Sequence, residues 1–214
     1  MRKLRRLVVR ALRVTLPYPV IVAGLGRCGT TLLYGAIEDR ITNPSGFVID
    51  LDSHCFANDL IKTHDYPPEV HLPEGTKVVF MFGNIVDTIL STTDQINDWG
   101  QWHYRHVRTP QAYRVNTDLY TNDDLRLEEL FDAWYRPQQF DLLTLRYESL
   151  YQPGVMQTVQ EYLGLTFSLP AYRPRSTNQQ AHPATLTVAN TYASLSRKIE
   201  DAEDVKVWPM RRIG

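Results

Sequence analysis

Two cysteines, Cys28 and Cys55, are all that this chain of 214 residues contains. They cannot build a disulfide framework and form no C-x-x-C pair, which removes zinc-clip and redox readings and fits a reducing compartment. The expected location is therefore cytoplasmic. Uninterrupted apolar runs of membrane-spanning length are also missing, as are internal repeats and low-complexity tracts. A net charge of -1 leaves no overall basic surplus, and nucleic acid is not an expected partner. That total hides an uneven distribution. The first 37 residues carry seven Lys or Arg and no acid, while the remainder carries 16 against 24 Asp and Glu. With 43% hydrophobic residues the length suits one core. The expectation is a basic lead-in over 1–17 and a single domain over 18–214. The alternative for the lead-in is an amphipathic helix whose arginines, within 2–13, would rest on an anionic membrane surface.

The most informative absence is a single lysine. "GLGRCGTTLLYGAI", residues 24–37, follows the apolar run "YPVIVA" as a phosphate-binding loop follows its strand. A Walker loop reads G-x-x-x-x-G-K-[ST], its lysine reaching the terminal phosphates. Gly24 and Gly29 keep that spacing, but Thr30 stands at the lysine position and the basic group is Arg27. Gly26 and Gly29 let backbone amides turn inward, Thr30 and Thr31 add hydroxyls, and the following helix adds its positive end. A phosphate or sulfate is the favoured occupant.

Hydrophobic periodicity supplies the surroundings. "PVIVAG" reads as a buried strand, "GTTLLYGAIEDR" as a helix, "GFVIDLD" as a second strand and "TKVVFMFG" as a third. "NIVDTILSTTDQI" reads as a helix capped by Asn84, "LRLEELFDAWYR" as a helix stopped by Pro137, "FDLLTLRY" as a strand, and "GVMQTVQEYLGL" as a helix ending near Gly164. Strands alternating with helices predict an α/β protein with a mainly parallel sheet, whose ligands bind at the carboxyl ends of the strands.

Three segments bear on the kind of anion. "IKTHDYPP" offers Lys62 beside His64, a pairing suited to taking a proton from a hydroxyl acceptor. "FMFGNIVDTILS" offers Asn84, Asp87 and Ser91, and "LRYESLYQPG" offers Arg146, Tyr147 and Glu148. Each alone reads equally well as a surface turn, a capped helix or a strand end.

Together, "RCGTTL", "KTHDYP", "GNIVDTILS" and "YESL" resemble, in order, four segments of the sulfotransferases that use 3'-phosphoadenosine 5'-phosphosulfate (PAPS), and they spread over residues 20–165. That resemblance implies a P-loop three-layer α/β/α fold and a PAPS co-substrate released as PAP, with no metal. It also implies roles: His64 as catalytic base, Lys62 and Arg27 at the sulfuryl group, and the loop from Gly26 to Thr31 on the 5'-phosphate. Ser91 would then take the ribose phosphate and Tyr147 would border the adenine. The acceptor implied is a small molecule or glycan carrying a hydroxyl or amine, and the aromatic-rich stretch 98–124 would be its lid or ordinary packing.

Two departures stand out. Gly83 occupies the place of the family's ribose-phosphate arginine, and the glycine-rich basic loop near the C-terminus is replaced by a stretch with Arg173 and Arg175. Those two, or Arg105 and Arg108, are candidates to supply the lost charge. The competing readings are a P-loop nucleotide kinase or hydrolase holding magnesium through Asp50 or Asp52, and a non-catalytic nucleotide-binding protein.

Overall fold

The structure, a computed structural model, describes residues 13–93, 119–172 and 181–211. The expectations placed on residues 2–12 of the lead-in, on Arg105 and Arg108, on most of 98–124 and on Arg173 and Arg175 lie outside those residues. Among the described residues six strands form one sheet in the order β2-β3-β1-β4-β5-β6. They are β1 (Val20–Gly24), β2 (Pro44–Phe47), β3 (Leu60–Lys62), β4 (Lys77–Phe82), β5 (Asp141–Arg146) and β6 (Val205–Trp208). The first five run parallel, and β6 pairs antiparallel with β5.

Strand alternation builds two cores. Val20, Val22, Val79, Met81, Leu143 and Leu145 face one side, where α1 (Thr30–Glu38) and α4 (Val155–Leu163) contribute Leu33, Ile37, Val159 and Leu163. Ile21, Ala23, Val78, Phe80, Phe82 and Leu142 face the other, with α2 (Ile85–Thr93), α3 (Leu127–Trp134), α5 (Thr185–Thr191) and α6 (Ala193–Asp201). A strand buried on both faces has no polar positions to give, and all five residues of β1 are buried. This is the three-layer α/β fold expected from the sequence.

Five elements differ from the sequence reading. The second strand was expected over 46–52 but covers only Pro44–Phe47. The strand lies at the sheet edge, a bulge between Pro44 and Gly46 shifts its register, and the chain beyond it turns as Asp50 accepts from the Ser53 amide and hydroxyl. The "LIK" strand β3 was not read at all, since three residues are too few to show a period. The antiparallel β6, with α5 and α6 before it, was likewise unread.

The chain visits β2 and β3 on one side of β1, then crosses to β4 on the other. That reversal opens a crevice above the carboxyl end of β1, where the glycine loop sits.

Candidate functional site

Gly24 ends β1 because a side chain there has no room: an added Cβ would lie 2.4 Å from the Met81 carbonyl oxygen and 2.7 Å from Thr30 Cγ2. The loop closes on Gly29 at φ 81°, a left-handed conformation that glycine adopts without a Cβ penalty. The ring of Tyr147 lies against this glycine, since an added Cβ would meet its Cδ2 at 2.3 Å. Tyr147 thus borders the loop, delivered by the 3-10 turn Tyr147–Ser149 that follows β5.

The two threonines do different things. Thr30, at the Walker-lysine position, is 2% exposed and packs inward on Gly24. Thr31 is exposed, and its Oγ1 accepts a hydrogen bond from Lys62 Nζ at 2.7 Å. Lys62 comes from the end of β3, and its ammonium lies 5.5 Å from the centroid of the Phe47 ring. Burial first, and then the neighbouring Arg27 guanidinium, push this lysine below its ordinary pKa. Two cations held close together beside a helix N-terminus make a site that an anion relieves.

Arg27 is one of two described non-glycine residues at positive φ, at 63°. Such a conformation is uncommon for a side chain of this size and collects at functional sites. Its Nε donates to Ser91 Oγ at 3.1 Å, 64 residues away along the chain. Cys28, expected among the donor-binding residues, turns inward instead: it is fully buried with Sγ 3.3 Å from Thr88 Oγ1, and its amide donates to the Leu25 carbonyl at 3.3 Å. Gly26 completes the loop and is half-buried.

His64 follows β3 and is 3% exposed. Its Nδ1 lies 2.7 Å from the Gly24 carbonyl oxygen. A carbonyl only accepts, so Nδ1 carries a proton here, and it is Nε2 that exchanges a proton when the ring acts as an acid or base. The segment around it is fastened from several sides. Asp65 accepts from the Leu51 amide at 2.9 Å through Oδ2, Thr63 Oγ1 accepts from the Asp65 amide at 3.0 Å, and Trp134 Nε1 of α3 donates to the Asp65 carbonyl at 2.9 Å.

Around α2 the polar residues close on backbone. Asn84 caps the helix, its Oδ1 accepting from the Asp87 amide at 3.1 Å, as its sequence context predicts. Glu148 Oε1 accepts from the Asn84 amide at 3.0 Å. Arg146 is a structural residue: Nη2 donates to the Ile199 and Ala202 carbonyls at 2.6 and 2.5 Å near the end of α6, and Nε is 2.8 Å from Asp204 Oδ1. Of the aspartates considered for magnesium, Asp50 closes a local turn with Ser53, and Asp52 Oδ1 accepts from the Glu69 and Val70 amides of a distant loop. Among the described residues no group of three or more His, Cys, Asp or Glu could hold a metal ion, and no helix is long and apolar enough to cross a membrane.

The structure therefore brings Arg27, Thr31, Lys62, His64, Ser91 and Tyr147 to the loop. Sequence reasoning missed Phe47, whose ring is 5.7 Å from that of His64, and Trp134, which fixes the histidine segment. Phe47 stood within the overextended second strand; for Trp134 no local signal existed, since the bond spans 69 residues. No known family model and no curated protein matches the chain.

Proposed function

We propose that this chain is a PAPS-dependent sulfotransferase that passes a sulfuryl group to a hydroxyl or amine of a small-molecule or glycan acceptor. One observation carries the reading: the Lys62 ammonium donates to Thr31 Oγ1. Thr31 holds the place of the hydroxyl that binds magnesium in a Walker loop. A fixed cation on that hydroxyl opposes a metal there and offers its own charge to the anion in the loop. A kinase or hydrolase would need magnesium at that hydroxyl, and the carboxylates considered for it, Asp50 and Asp52, already accept bonds from Ser53 and from the Glu69 and Val70 amides.

The reaction follows from these positions. The loop amides and Thr31 hold the donor's 5'-phosphate, and Tyr147 borders the base. The acceptor oxygen attacks sulfur in line, the bond from sulfur to the phosphate oxygen breaks, and the electron pair leaves with PAP. The acceptor proton passes to Nε2 of His64. Lys62 meets the charge that grows on the sulfuryl and leaving oxygens, where a preoriented cation stabilises it without reorganising. Arg27 is the second cation of the anion site.

Titration calorimetry with PAP, and with ATP plus magnesium, tests the class. PAP binding that is unchanged by EDTA is expected, with weaker binding of magnesium ATP. Binding of magnesium ATP with none of PAP overturns the reading in favour of a kinase or hydrolase.

A further inference from the structure

The two cations of the site bond to different hydroxyls. Lys62 sits on Thr31 over the glycine loop, whereas Arg27 reaches past the loop to Ser91, two turns into α2. The left-handed backbone at Arg27 belongs to the same arrangement, for it sets the direction in which this side chain leaves the loop. The Nε bond to Ser91 then orients the planar guanidinium, whose fork of donors matches phosphate oxygens.

Beside position 83, where the resembling family has its ribose-phosphate arginine, stands the carboxylate of Glu148. A Cβ added to Gly83 would stand 2.9 and 3.1 Å from the two carboxylate oxygens of Glu148 and 3.2 Å from Tyr147 Cβ. Glu148 is held there by the Asn84 amide at 3.0 Å. The space at the start of α2 has become a carboxylate cap on the helix, which its positive end favours.

Resting on the sulfotransferase reading, we propose that the work of the missing arginine has moved to Arg27. Arg27 and Ser91 form the station for the donor's ribose phosphate, and Lys62 alone serves the transferring group. The site then prefers a nucleotide with two separate phosphates, and that preference depends on a residue of the loop. Arg173 and Arg175 are not needed for it.

The preference of PAP over AMP, measured by titration calorimetry in the parent, Arg27→Gly and Ser91→Ala proteins, tests this. Glycine accepts the left-handed backbone, so Arg27→Gly removes the guanidinium without adding strain. The parent is expected to bind PAP more tightly than AMP. Arg27→Gly should cut that preference roughly tenfold or more, the scale of losing charged hydrogen bonds to phosphate, while AMP affinity changes only a few-fold. Ser91→Ala should reduce it in the same direction, by less. If Arg27→Gly weakens PAP and AMP by equal factors, or leaves both unchanged, the assignment of Arg27 is overturned while the sulfotransferase reading stands. A parent that does not distinguish PAP from AMP overturns both.

Discussion

The chain beyond β3 and the chain beyond β5 are alike in composition, each putting a basic residue, an acid and an aromatic at a carboxyl strand end, yet they end up with opposite tasks. After β3, Lys62 points to the hydroxyl of Thr31 and His64 to the carbonyl that ends β1, so both face the glycine loop. After β5, Arg146 closes the end of α6 and Glu148 the start of α2, so both satisfy backbone groups of helices. Only Tyr147 from that segment turns to the loop. The difference lies in neighbours. β3 is adjacent to β1, whereas β5 is separated from it by β4 and flanked by the helices whose ends need partners.

The comparison breaks most readily at His64. His64→Asn keeps a side-chain donor for the Gly24 carbonyl and removes the basic nitrogen. Turnover with a competent acceptor should fall roughly a hundredfold or more while PAP affinity stays within a few-fold. Parent-like turnover in steady-state assays would remove His64 from the chemistry and leave it a strap between β3 and β1.

The β5 side should respond in stability instead. Arg146→Met retains an aliphatic stem of similar length and deletes both the guanidinium, whose carbon lies 5.7 Å from the Phe82 ring centroid, and its bonds to the Ile199 and Ala202 carbonyls. A loss of about 2 kcal/mol in urea denaturation is expected, the scale of charge-assisted hydrogen bonds, with PAP affinity unchanged. A fall in affinity without a fall in stability would move Arg146 to the other side of the comparison.

A finer test uses pH at Lys62. Its folded-state pKa is depressed, by burial first and by Arg27 second, below the ordinary lysine value of about 10.4 that the unfolded chain retains. Between those two values the unfolded state binds more protons, so the unfolding free energy gains with rising pH through that window. Lys62→Met should remove this gain relative to the parent in paired urea titrations. The same loss of charge predicts that PAP affinity falls as pH rises through the window in the parent, and that the variant binds PAP roughly tenfold more weakly at neutral pH. Identical pH slopes in the two proteins would refute the assignment of a strained charge to Lys62.

Much of this was legible in one dimension. Gly24 and Gly29, the helix behind them and the cap at Asn84 are local features, set by backbone freedom and by spacing within one turn. β4 and β5, at six residues each, showed as apolar runs near their observed bounds. β3 did not, because a three-residue strand owes its conformation to pairing with β1 on one side and β2 on the other. β6 was hidden for a related reason, as an edge strand with exposed Val207 carries little burial signal.

What the sequence determined by itself is the layered α/β architecture and a glycine loop lacking the Walker lysine, because apolar periodicity and glycine placement act over neighbouring residues. Only the tertiary structure decided which cation meets which hydroxyl. Lys62 and Thr31 are 31 residues apart, Arg27 and Ser91 64 apart, and Glu148 closes on the amide after Gly83 across another 64. Such pairings follow from strand order and from the side on which each helix packs, which place distant residues within a hydrogen bond's reach or leave them at opposite ends of the sheet.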